Sequence, residues 1–357
     1  MRRVRLGFLL AGAAGLMLAG CGGDDDTADA GAAGSAAEDR PTVVVTTNIL
    51  GDVVGAFAGD ELEVVTIMPV GADPHTFQAS AQQANQMREA DALIVNGAGF
   101  EEGLLDVIDA ATDDGVATFE AMSAVEAIEY GEGGHDHAED DHAEDDHAED
   151  DHAEDDHAED DHADEGEDHA EGDEDGHDHE GEDPHFFTDP ARMARSVDAI
   201  AAFLIDNVDG VDGEALRASA DDYVAELETL DEDVAEILSD IPDEQRVLVT
   251  NHEVFGYFAD RYDFEVVGTV IPSGSTADGA SAGELAELAE VIHDEGVPAI
   301  FADNSTSDDL AETLAAEVGE VEVVELFTGS LGDEGSDGAT YVAMVRTNAE
   351  RIADALA

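Results

Sequence analysis

One stretch of this chain cannot build a core of its own. Residues 132–183 carry ten histidines, 29 acids, no basic residue and no hydrophobe larger than alanine. Five identical copies of Ala-Glu-Asp-Asp-His run from Ala138 to His162. Such a segment has no apolar surface whose burial could offset the entropy of ordering it, so disorder is expected. A period of five matches neither helix nor strand and is far too short for a stacked solenoid. Whatever folds must therefore do so from the sequence on either side of this insert.

Those flanks have the material. Hydrophobic residues make up 43% of the 357, which excludes wholesale disorder. Short apolar runs at 42–47, 62–68 and 92–96 read as buried strands, with helix-like stretches at 49–57 and 80–89 between them. The pattern returns with strands at 246–250, 264–270, 299–302 and 322–326. Alternating strands and helices imply an α/β fold with parallel sheets, here in two lobes. Residues 212–240 lie between the lobes. Leu216, Tyr223, Leu227, Leu230, Val234 and Ile237 fall there on one helical face, acids cover the other, and Pro242 ends the run. An ordinary packing helix accounts for the stripe as well as an inter-lobe strut does.

The formal charge of −79 excludes nucleic acid as a partner. All twelve basic residues are Arg; salt adaptation and a GC-rich genome both account for a lysine-free, acidic surface. At the N-terminus three arginines precede an apolar run at 6–18 that is too short for a committed membrane span. Leu18-Ala19-Gly20-Cys21 follows, and it resembles a bacterial lipoprotein signal, in which the cysteine is lipidated and becomes the first mature residue. Cys21 is the sole cysteine. An exported thiol without a disulfide partner fits lipid attachment better than an incidental position in an ordinary secretory signal. The expected location is extracytoplasmic, held to the cell membrane by the lipid on Cys21.

Outside the insert there are four histidines: His75, His185, His252 and His293. His293 sits in a helix-like stretch and reads as a surface residue. The other three lie in loop-like contexts beside strands or turns, and ligands of open α/β sheets bind outside the carboxyl ends of strands. Any one of them alone could be structural. Three in a chain otherwise poor in histidine point to a metal site, because neutral imidazoles are the commonest zinc ligands. The prolines before His75 and His185 restrict the backbone and help aim the rings.

The chain resembles the metal-specific solute-binding proteins of zinc and manganese ABC importers. The matching motifs are Gly71-Ala72-Asp73-Pro74-His75, Asp183-Pro184-His185-Phe186-Phe187-Thr188-Asp189-Pro190 and Asn251-His252-Glu253-Val254-Phe255-Gly256-Tyr257-Phe258, with Ser330-Leu331-Gly332 and Met344-Val345-Arg346-Thr347-Asn348 near the C-terminus. The resemblance implies two lobes joined by a long rigid helix, with a metal in the cleft held by His75 and His185 from the first lobe and His252 from the second. A His-rich acidic insert between the first two is typical of the zinc-uptake branch. Relatives often carry an Asp before the Ser of the Ser-Leu-Gly motif; here Gly329 stands there. Water, an insert residue or Asp303 could take that fourth position, and Asp303 is equally readable as a turn or helix-capping acid. Three imidazoles with at most one carboxylate favour Zn2+ over Mn2+, although copper and nickel would also bind such a set.

The resulting plan is a signal with lipobox at 1–21, a flexible tether at 22–40, a first lobe at 41–211 containing the insert at 132–183, a linking helix at 212–241 and a second lobe at 242–357. The expected function is a non-enzymatic zinc receptor, monomeric, delivering Zn2+ to an ABC permease with its ATPase subunits. The insert histidines (His135, His137, His142, His147, His152, His157, His162, His169, His177 and His179) would collect zinc weakly. An extracellular zinc buffer or adhesin is the competing class. A zinc hydrolase is a third; its one applicant for general base is Glu253, and no His-Glu-x-x-His motif supports it.

Overall fold

A computed structural model of the protein describes residues 40–59, 61–130, 181–319 and 321–357. Cys21, the signal and tether before residue 40, and the ten insert histidines from His135 to His179 lie outside the described residues.

The described chain forms two four-stranded sheets, each wholly parallel. In the first lobe β1 (Thr42–Val45) and β3 (Ala92–Val95) are central, flanked by β2 (Glu63–Thr66) and β4 (Ala117–Glu120), in the order β2-β1-β3-β4. The second lobe repeats that order as β6-β5-β7-β8, from β5 (Val247–Thr250), β6 (Glu265–Thr269), β7 (Ala299–Asp303) and β8 (Glu322–Leu326). The central strands β3 and β7 are buried along their whole length and β1 and β5 along most of theirs, which explains their near-continuous apolar sequences. In each sheet the strand order reverses between the two central strands, where α/β sheets open a crevice at their carboxyl ends. Thr46 and Asn96 lie at the first crevice, and His252 and Asp303 at the second.

Helices α1 (Asn48–Ala58), α2 (Ala81–Glu89) and α3 (Leu105–Asp113) connect the first sheet; α6 (Gly256–Tyr262), α7 (Ala282–Glu295) and α8 (Asp309–Val318) connect the second. Helix α4 (Pro190–Asn207) packs on the first lobe, α5 (Gly213–Leu238) follows it between the two sheets in sequence, and α9 (Tyr341–Leu356) is the last helix. Asp212 starts α5 by accepting from the backbone N–H of Glu214 and Ala215. At a rise of about 1.5 Å per residue the helix is roughly 39 Å long. Its buried face is Leu216, Ala220, Tyr223, Leu227, Leu230, Val234 and Leu238, with Ile237 only partly buried. That face packs on α4, α1 of the first lobe and α9 of the second, so one apolar core runs without a break from β1 to the C-terminus.

The structure departs from the sequence reading at the end of the insert. Residues 181–183 belong to the fold: Glu182 bridges Glu129 in antiparallel fashion, and Asp183 is 2% exposed, donating its N–H to the carbonyl of Ile128. Composition concealed this, because the local partner strand at 128–130 lies on the far side of the insert.

Candidate metal centre

His75 sits on a turn after β2, where Asp73 Oδ1 accepts the His75 backbone N–H at 3.0 Å. His185 immediately precedes the one-turn helix Phe186–Thr188, and His252 follows β5, whose Thr250 hydroxyl donates to the carbonyl of His252 at 2.8 Å. These three loops bring the rings together, with centroids 5.5 Å apart for His75 and His185, 5.6 Å for His75 and His252, and 5.3 Å for His185 and His252. One nitrogen from each falls within 4.8 Å of the others. All three residues are buried, at 4%, 1% and 1% exposure. His293 is far more exposed, beside Asp294 on α7.

The hydrogen bonds around the rings orient them. His75 Nδ1 lies 3.2 Å from Glu102 Oε1, and His185 Nδ1 lies 2.7 Å from Asp183 Oδ1. An Nδ1–H donated to a carboxylate leaves Nε2 as a bare lone pair. In both residues that Nε2 is buried without a hydrogen-bond partner. His252 Nδ1 is likewise without one, as is Oδ2 of Asp303, and these two atoms are 3.8 Å apart. One nitrogen of each ring thus gathers in the cleft, while Asp303 stands beside His252 and outside that trio. Each buried acceptor left unmatched costs about 1–3 kcal/mol, so the arrangement is unfavourable until something with positive charge joins it.

Electrostatics agree. Burial, then the neighbouring rings, pushes His185 and His252 well below the ordinary imidazole value, so both are held neutral and able to donate a lone pair. Burial pushes the Asp303 carboxyl up, and pushes Asp183 up to about 7. The hydrogen bond from His75 holds Glu102 below its ordinary value.

The fourth position has a local explanation. A side chain at Gly329 would have to displace the Ser305 hydroxyl and would approach Pro74 Cδ to 3.2 Å, so the position where relatives often carry Asp is crowded here. Ser305 instead holds Asp303: its N–H and hydroxyl both donate to Asp303 Oδ1, at 2.6 and 2.7 Å, which leaves Oδ2 to face His252. Asp303 is 3% exposed and is the last residue of β7; it does not cap α8.

Several residues beside the trio were not singled out from sequence. Phe100 packs edge-on against His75 and His185, with centroids 5.0 and 5.3 Å apart. Glu101, fully buried, accepts from Thr46 Oγ1 at 2.5 Å and the Asn96 N–H at 2.6 Å, and so pins the loop that carries Phe100 and Glu102. The only sequence signal was the glycine-rich turn after β3, where Gly97, Ala98 and Gly99 all take positive φ.

A bilobal α/β fold with matched switch-point crevices around three buried, converging imidazoles defines a solute-binding receptor whose cargo is a metal ion. The family model described as zinc-uptake complex component A periplasmic (ZnuA) matches residues 43–355, and the chain belongs to that family. The zinc-binding protein TroA of Treponema pallidum is 29% identical over 335 residues, covering 92% of this chain and 92% of TroA. The manganese-binding lipoprotein MntA of Halalkalibacterium halodurans is 24% identical over 357 residues, 100% of this chain and 99% of MntA. The solved structure of the periplasmic zinc binding protein TroA superposes with a TM-score of 0.70 at 27% identity, covering 89% of this chain and 99% of that one.

Proposed function

We propose that this protein is an extracytoplasmic zinc receptor that binds Zn2+ through His75, His185, His252 and Asp303 and delivers it to an ABC permease driven by its ATPase subunits. The observation that carries this is the convergence of three buried imidazoles, one nitrogen of each within 4.8 Å of the others. Three imidazole nitrogens and one carboxylate oxygen form a donor set that favours zinc, whereas manganese prefers a larger share of oxygen. The named relatives include both a zinc-binding and a manganese-binding protein, so the donor set supplies the discrimination. A receptor without a catalytic role fits relatives that are named as binding proteins and lipoproteins.

Cys21 carries the lipid that holds the receptor at the membrane, the molecule works as a monomer, and the insert histidines gather zinc loosely beside the cleft. Competition between Zn2+ and Mn2+, followed by calorimetry on the purified full chain, tests the metal assignment. Zinc should bind at least a hundredfold more tightly than manganese. Comparable affinities would overturn the zinc reading and leave a general divalent-metal receptor.

A further inference from the structure

A cavity of about 190 Å³ leads from the His75 ring towards the surface. Its walls are Phe100 and Glu102 of the first lobe and the loop at 273–278 of the second, with Tyr130 bridging between them. Of the three cleft histidines only His75 lines it.

Tyr130 is held in place from two sides. Its backbone belongs to the first lobe, where its N–H donates to the Gly181 carbonyl at 3.4 Å beside the Glu129–Glu182 bridge and the Asp183–Ile128 hydrogen bond. Its ring reaches across to the second lobe and lies directly on Gly274, so closely that a Cβ at 274 would overlap ring carbons and the phenolic oxygen. Gly274 does not have a positive φ, so contact with the ring, and not backbone angle, demands glycine there. The same ring is a wall of the cavity that ends at His75.

We propose that Tyr130 is a kinetic shutter: seated on Gly274, it sets how fast a metal ion enters and leaves the cleft without contributing to how tightly the ion is held. This rests on the reading of His75, His185 and His252 as the metal site. A side chain that narrows the route but touches the metal in neither state raises the barrier equally in both directions. Its loss therefore accelerates uptake and release by one factor and leaves the equilibrium constant in place.

The test uses the full chain loaded with one equivalent of Zn2+. Release into excess EDTA is followed by stopped flow, uptake is followed with a chromogenic chelator, and equilibrium affinity is measured separately. Tyr130→Ala should speed release and uptake at least tenfold, with the affinity unchanged within threefold. Gly274→Ala, which unseats the ring while keeping it, should do the same, and the double variant should be no faster than Tyr130→Ala. Tyr130→Phe, which keeps the covering ring, should retain slow exchange. Tyr130→Ala and Gly274→Ala both exchanging within twofold of the wild type would overturn the proposal, as would a large loss of affinity at wild-type release rates. Failure of the underlying reading looks different: a wild-type chain with no tight zinc site, or one whose tight site survives His252→Ala.

Discussion

Asp303 Oδ2 and His252 Nδ1 face each other across 3.8 Å at the carboxyl ends of two neighbouring central strands, both buried and neither hydrogen-bonded. Two such atoms would meet directly if the pair were a simple ion pair. They are held apart because Ser305 fixes the other carboxylate oxygen. The pair sets the His252 ring against rigid β-structure of the second lobe.

The first prediction concerns the shell itself. Replacing His75, His185 or His252 by Ala should weaken zinc binding by more than about a hundredfold, since even outer-shell partners are worth 10–100-fold. His293→Ala, on exposed α7, should change nothing. Zinc titration of the four variants checks this, and equal effects at all four positions would remove the cleft as the site.

The pH dependence follows from the direction of each shift. His185 and His252 are pushed below the ordinary imidazole value, so they remain neutral at neutral pH and yield no proton to an arriving metal. Competition by protons at these rings therefore begins only below about pH 6.5. Asp303 is shifted the opposite way, so its carboxyl takes up a proton earlier than an ordinary one as pH falls and adds to the loss of affinity on the acid side. Affinity should stay flat between pH 8 and 7 and fall below 6.5. In Asp303→Asn the fall in affinity below pH 6.5 should be shallower than in the wild type, because one competing proton is removed. A tenfold loss of affinity between pH 8 and 7 would contradict the assignment.

Removing residues 131–180 should leave the tight site and the fold intact and abolish several weaker sites. Tyr130 N–H and the Gly181 carbonyl are already hydrogen-bonded, so a short glycine turn can close the gap. The weak sites are expected because each binding event must order a chain with no core. Calorimetric stoichiometry separates the outcomes: an unchanged count would reduce the insert to a solvated charge run, and loss of the tight site would mean that the insert supplies a ligand.

Leu227 is fully buried on the face of α5 that joins the two lobes. Leu227→Ala should cost about 2–5 kcal/mol of stability in chemical denaturation. Because one core runs through both lobes, they should unfold in a single transition. Two resolved transitions would show instead that α5 does not couple them.

Much of this molecule was legible from the chain because its signals are local. The valine run of β1, the all-apolar β3 and the heptad-like stripe from Leu216 to Val234 announce buried parallel strands and a long amphipathic helix, since periodicity and burial are properties of a few consecutive residues. The motifs around His75, His185 and His252 marked candidate ligands for a similar reason: each is a short loop next to a strand or turn. What the chain could not state is which atoms meet. Asp303 reads equally well as a turn acid, and only β7 pairing beside β5, with Ser305 occupying the space beside Gly329, turns its free oxygen towards His252. Glu102 becomes a partner of His75, and Tyr130 comes to lie on Gly274, through contacts between segments far apart in sequence, whereas Asp183 meets His185 from two residues away. Periodicity and composition are averages along the chain, whereas a coordination shell and its opening are set by distances across it, and those exist only once both lobes have packed on the same helix.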